Sequence, residues 1–220
     1  MLSIDLGPLR DGVIGLLRER AEPLRPSSHH ELARFRFDDI LFVIYRTGRM
    51  TVNREIPATL RNPLIHLYLS RDEDGYVVGS DEAGKGESEG PLVVAAVGMN
   101  PEERAEAWLM GVQDSKRLSA GRVHELAPHL LTYDHAVEIM EPREFNRRFK
   151  GNLTEILNEM HTRAIEKVDG SPSKIIVDAF PGVRVEGATA IKGAERFIPV
   201  AVASVIARHT YLRWLEDHKG

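Results

Sequence analysis

Apolar and polar positions along this chain follow two rhythms, one of period near 3.6 and one of period 2, and they alternate from segment to segment. Residues 8–20 place Leu9, Val13, Leu16 and Leu17 at helical spacing, and Pro23 and Pro26 end that helix. From Arg34 to Arg54 apolar and basic residues partly alternate. This predicts two strands joined at Thr47-Gly48, with Phe35 and Phe37 facing a core and Arg34 and Arg36 facing outward. Residues 71–75, with three acids and a glycine, read as a linker. Beyond it, residues 76–81 predict a strand and the unbroken apolar run 91–98 its buried hairpin partner. Helices follow over 101–110, 119–131 and 153–168, with Asn100 and Asn152 placed as N-caps of the first and third. Residues 174–178 form another β-branched run. The closing stretch 199–218 predicts a helix whose Ala201, Ala203, Ser204 and Ala207 suit close packing on a sheet. Strands and helices interleave, which predicts a sheet covered by helices.

Two of the predicted strands deliver carboxylates at their ends, Asp81 and Glu82 from one and Asp178 from the other. Adjacent buried carboxylates are costly unless a cation neutralises them, and hard oxygen donors suit Mg²⁺ or Mn²⁺. Asp81 and Asp178 converge if their strands are neighbours. Glu82 poses a difficulty, because successive strand side chains point to opposite faces; it reaches the same ions only if the strand bends or ends there. Gly84 and Gly86 allow such a departure and let the backbone approach a sugar. The spacing of Gly79, Gly84 and Lys85 also matches a phosphate-cradling loop. That reading fails because Gly86 stands where a magnesium-binding hydroxyl is needed, and the two acids would repel phosphate.

Composition narrows the possibilities. With no cysteine among 220 residues there is neither a disulfide framework nor a thiolate metal site, which leaves carboxylates and nine histidines as ligands. No apolar stretch approaches the roughly 18 residues needed to span a bilayer, and no export signal opens the chain, so a cytoplasmic, monomeric protein away from membranes is expected. The net charge of −4 divides unevenly: residues 1–71 carry +3, from arginine alone, and the remainder −7. A basic front beside an acidic site fits nucleic-acid binding, with Arg46, Arg49 and Arg54 as phosphate partners; a solvated sheet face explains the same arginines.

Taken in order, seven segments resemble type 2 ribonucleases H over residues 76 to 217. They are Gly79-Ser-Asp-Glu-Ala-Gly-Lys-Gly, Gly90-Pro-Leu-Val-Val-Ala-Ala-Val, Asp114-Ser-Lys-Arg-Leu-Ser, Asn152 through Met160-His161, Val177-Asp178, Lys192-Gly-Ala-Glu and Val202-Ala-Ser-Val-Ile-Ala-Arg. Met160-His161 and the Ala-Arg-x-x-Tyr-Leu run at 207–212 resemble the ribonuclease HIII branch more than HII. Tyr45-Arg-Thr-Gly-Arg is similar to a hairpin of that branch's TATA-binding-protein-like N-terminal domain. The resemblance implies an α/β fold, a ribonuclease H-like mixed sheet flanked by helices over 76–220, preceded by a small α+β, basic, substrate-binding domain over 1–71. It implies a divalent-metal-dependent endoribonuclease, with Mg²⁺ or Mn²⁺, that cuts the RNA strand of RNA–DNA hybrids to 3′-hydroxyl and 5′-phosphate ends. Asp81, Glu82 and Asp178 match the family's metal-binding acids, and Gly84, Lys85 and Gly86 the loop that contacts ribose 2′-hydroxyls. Lys116, Arg46 and Arg49 join the substrate-binding set. The fourth acid falls on Glu216, one turn past Leu212, with Glu195 and Asp217 as rivals. Asn152 and His161 are expected to cap and to pack rather than to ligate. The segment in which HII members carry a ribonucleotide-sensing tyrosine has no counterpart before Gly220, so continuous hybrids are the expected substrate. A hybrid-binding protein that has lost cleavage is the alternative.

Overall fold

Two five-stranded sheets organise the chain in a computed structural model that describes residues 1–87, 89–149 and 151–218. Residues Met1–Glu73 and Ala105–Gly111 form one unit; Asp74–Arg104 and Val112–Gly220 form the other.

The first unit contains β1 (Leu2–Asp5), α1 (Arg10–Arg20), β2 (Glu22–Leu24), β3 (Glu31–Phe37), β4 (Ile40–Tyr45), β5 (Arg49–Val52) and α2 (Ala58–Leu69). Its sheet is antiparallel, in the order β1-β5-β4-β3-β2. Alternation sends Phe35, Phe42, Ile44, Met50 and Val52 into a core with Val13 and Leu17 of α1 and Leu60 and Leu64 of α2. Three strands occupy the stretch where alternation predicts two. The extra reversal falls at Asp38, whose φ of 52° is a left-handed conformation that a short polar side chain tolerates. The reversal at Thr47-Gly48 is where the sequence places it, with Gly48 at φ 86°.

The second unit contains β6 (Val77–Ala83), β7 (Leu92–Met99), the start of α3 (Pro101–Leu109), α4 (Ala120–Leu130), β8 (Asp134–Met140), α5 (Pro142–Arg148), α6 (Leu153–Glu166), β9 (Lys174–Asp178), β10 (Ala188–Ile191) and α7 (Ile198–Asp217). The sheet order is β10-β9-β6-β7-β8; β6 runs antiparallel to β7 and parallel to β9. Every residue of β7 is buried, since α7 covers one face of the sheet and α6 the other, which is why its sequence is a continuous apolar run. The small residues of α7 allow the closest approach. A Cβ added at Gly79 of β6 would lie 2.3 Å from the backbone nitrogen of Val200 and 2.4 Å from the carbonyl carbon of Pro199.

Caps follow the sequence in part. Asn100 and Glu103 form a reciprocal capping box at α3, each side chain accepting from the other's backbone N–H at 2.9 and 2.8 Å. Ser119 caps α4 by accepting from Arg122 N at 3.2 Å. Asn152 stands at the N-cap position of α6, but its side chain makes no capping hydrogen bond. No helix among the described residues is long and apolar enough to cross a membrane.

Candidate active site

Strand β6 carries the chemistry on both faces at once. Val77, Gly79 and Asp81 face α7, where Gly79 meets Pro199 and Val200; Val78, Ser80 and Glu82 face α6, where Ser80 meets His161. On its β9 side the pairing of the strand ends at Ser80, just before the two acids, but on the other side it runs on. It stays paired with β7 through Glu82↔Val94 and Ala83↔Val93, and departs only at Gly84, φ 83°. Asp81 and Glu82 therefore stand on opposite faces, joined through the Glu82 backbone N–H, which donates to Asp81 Oδ1 at 2.8 Å.

Asp178 ends β9 one step past the last paired residues, Ser80↔Val177, so it lies beside Asp81 on a neighbouring strand about 4.8 Å away. In-register parallel neighbours project to the same face, and the charge of Asp178 acts on Asp81. The Asp178 carboxylate is itself fixed by the Ala194 N–H, which donates to its Oδ1 at 2.9 Å.

The two adjacent acids are tuned in opposite directions. Asp81, 5 % exposed, is pushed up to about 8, first by burial and then by the Glu82 charge; the Ser204 hydroxyl and the Glu82 amide offset this only in part. Burial also pushes Glu82 up, but His161 and Lys85 together outweigh it and hold Glu82 below the usual carboxylate range. Lys85 Nζ lies 3.0 Å from Glu82 Oε1 and 5.3 Å from the centre of the Phe180 ring. His161 Nε2 lies 3.4 Å from Glu82 Oε2.

The glycine turn divides its roles. At Gly84 an added Cβ would meet Pro91 O at 2.1 Å, so this residue serves the chain's own packing; at Gly86, φ 82°, nothing stands within 4 Å, and open space is available to a ligand. The Asp114-Ser-Lys segment is tied to α7. Asp114 accepts from Lys116 N at 2.9 Å, the buried Ser115 hydroxyl meets Ser204 Oγ at 2.9 Å, and Arg208 donates to the Ser115 carbonyl. The Lys116 side chain is left exposed. Ser204 thus links this segment to Asp81, a connection between distant positions with no local signal in the sequence.

Other expected residues stand apart from this set. Glu216 pairs with His124 at 3.4 Å and Arg213 at 3.7 Å, and Asp217 with Arg213 at 3.9 Å. Glu195 is half-buried beside Ala194, the residue that holds Asp178. Arg46 and Arg49 belong to the first unit, where Arg46 Nε donates to the His29 carbonyl at 2.9 Å. The basic strand face there is largely neutralised by its own acids: Arg34 pairs with Glu31, Arg36 with Glu22 and Arg54 with Asp39.

Among the described residues no three His, Asp or Glu side chains already stand together as an ion site. The donor set nevertheless fits a hard divalent cation. Three carboxylates reach one end of the sheet, and Asp81 is raised by burial and by the charges of Glu82 and Asp178, which a cation would relieve.

The profile of the family described as Ribonuclease HII matches residues 78–220. The chain belongs to the ribonuclease HII family. Within it, the chain is 36% identical over 184 residues to a ribonuclease HII of Corynebacterium diphtheriae, covering 75% of this chain and 79% of that protein. It is 31% identical over 185 residues to a ribonuclease HIII of Geobacillus kaustophilus, covering 74% of this chain and 58% of that one, so it spans about three fifths of that relative's length. The fold of this ribonuclease HII family member matches that of Bst ribonuclease HIII, a point variant of which superposes with a TM-score of 0.61 at 25% identity over 94% of this chain and 80% of that chain. The same Bst protein is known in complex with Mn²⁺.

Proposed function

We propose that this chain is a divalent-metal-dependent endoribonuclease that cleaves the RNA strand of RNA–DNA hybrids to 3′-hydroxyl and 5′-phosphate ends. The observation that carries the proposal is the placement of Asp81 and Asp178 at the ends of adjacent parallel strands, with Asp81 buried beside two further carboxylates. Asp81 and Asp178 would hold Mg²⁺ or Mn²⁺ from one face; Glu82, on the other face of β6, would join them by reaching round the end of the sheet, where β9 no longer pairs with β6, and Glu216 is the fourth acid of the proposal, which requires it to leave His124 and Arg213. The Mn²⁺ complex of the Bst relative supports a divalent ion here. With divalent ions bound, the site gains a nucleophilic water at neutral pH and a sink for charge on the leaving 3′-oxygen.

The chain's own residues do the rest. Ser204 and the Glu82 amide orient Asp81, and the Ala194 amide orients Asp178. The open backbone at Gly86 offers the approach to a ribose 2′-hydroxyl by which RNA is told from DNA. Lys85, released from Glu82 when a cation takes its place, becomes available to a phosphate. Exposed Lys116, with Arg46 and Arg49, adds phosphate contacts.

The test is incubation of purified protein with a long labelled hybrid and Mn²⁺ or Mg²⁺. RNA fragments bearing 5′-phosphates are expected, and Asp81→Asn abolishes them; fragments that persist in that variant sink the proposal. A second reading, a hybrid-binding protein without cleavage, is favoured by the engagement of Glu216 with His124 and by the lack of a gathered ligand cluster. Salt-dependent hybrid binding with no turnover in either metal would select it.

A further inference from the structure

A buried polar chain lies behind Glu82, on the α6 side of β6. His161 is fully buried, with the Phe180 ring stacked on it at a centroid distance of 5.3 Å. Its Nδ1 is 2.8 Å from Ser80 Oγ, a hydroxyl that also lies 2.8 Å from the Ala95 carbonyl. Facing a carboxylate, which can only accept, Nε2 carries the ring hydrogen, and Nδ1 then accepts from Ser80. That Nε2 is aimed at Glu82 Oε2 across 3.4 Å, and among the described residues neither buried atom has a hydrogen-bond partner.

We infer that His161 is a positioning residue for metal binding: anchored by Ser80 and Phe180, it holds Glu82 Oε2 and leaves Oε1 as the oxygen presented to a cation. This role rests on the reading of Glu82 as a metal ligand. Strand alternation turns Glu82 toward an apolar cluster that includes Val78, Val94, Leu157 and Met160. A carboxylate there has three rotatable bonds and needs a polar partner to have one defined position. His161 supplies that partner from inside the core. On the outer side, the partner of Oε1 among the described residues is Lys85, whose side chain is 35 % exposed. The two oxygens are thus unequal, one locked by a buried ring and one covered by a partly exposed cation. A histidine serving packing alone needs the Phe180 stack and the Ser80 bond, but not an Nε2 aimed at a carboxylate.

Mn²⁺ titration of the full chain, followed by calorimetry and by the Mn²⁺-dependent rise in melting temperature, tests the inference. His161→Leu should raise the Mn²⁺ concentration at half-saturation by roughly 10- to 100-fold, the usual effect of losing a partner behind a metal ligand. Cleavage at saturating Mn²⁺ should recover most of its maximum rate, and His161→Gln, which keeps an N–H donor, should restore much of the affinity. Ser80→Ala leaves the ring unanchored and should shift half-saturation several-fold in the same direction. A lower melting temperature with unchanged half-saturation in His161→Leu overturns the inference and makes His161 a core residue. If that variant does not fold, unchanged half-saturation in Ser80→Ala overturns it instead. Absence of any Mn²⁺ response in the unaltered chain is a different failure: it sinks the proposed function, and the positioning role falls with it.

Discussion

The two faces of β6 treat adjacent acids in opposite ways. On the α7 face, Asp81 meets neutral donors, the Ser204 hydroxyl and a backbone amide, next to a helix so close that Gly79 has no room for a side chain. On the α6 face, Glu82 meets His161 and Lys85. Neutral donors alone leave most of the desolvation cost of a carboxylate standing, whereas a partner set that includes the Lys85 ammonium offsets it. The contrast locates the demand for an external cation at Asp81, where its neighbour Asp178 adds charge instead of removing it.

The largest effect expected from this contrast is that of Asp81→Asn. Cleavage should fall roughly a thousandfold or more, the rate equivalent of several kcal/mol of lost charge stabilisation. Stability without metal should move the other way. Because Asp81 is raised from 3.8 to about 8, the unfolded chain releases a proton between those pH values that the folded chain retains. The unfolded state then binds fewer protons, so stability falls as pH rises through that window. Melting temperatures in chelator should show this decline in the unaltered protein and a flatter profile in Asp81→Asn. A flat profile in the unaltered protein breaks the contrast.

Gly79→Ala probes the same face through packing. Its new methyl meets backbone on α7 that cannot swing aside, and a loss of about 1–3 kcal/mol in denaturant unfolding is expected. Lys85→Gln gives the smallest effect. Its ion pair with Glu82 is partly exposed, so stability should drop by under about 1 kcal/mol, less at high salt. A larger loss would mean that Lys85 is as much a part of the folded site as His161.

The sequence exposes the framework of this site better than its fittings. β6, β7, β9 and α7 are long or strongly apolar, and the carboxylates at strand ends are visible because charge interrupts a buried run. The short edge strands β1, β2 and β10 have too few residues to show a period, and β8 mixes Asp134, His135 and Glu138 into its alternation. Helix α2 escapes the pattern because Pro63 lies inside it. The opposite placement of Asp81 and Glu82 follows from strand geometry, yet the glycines that follow suggest an earlier bend than the pairing with β7 permits. The Ser204 link to Asp81 and the aim of His161 at Glu82 join residues far apart in the chain. They emerge only when α6 and α7 are laid on opposite faces of the sheet.

The fit of Gly79 against the first turn of α7 has a bearing on how the protein is made. A ribosome delivers β6 and β7 first and their covering helix last, so during synthesis one face of the central hairpin waits uncovered while the intervening elements emerge. Such late closure favours slow completion and leaves a sticky half-built sheet for chaperones to shield.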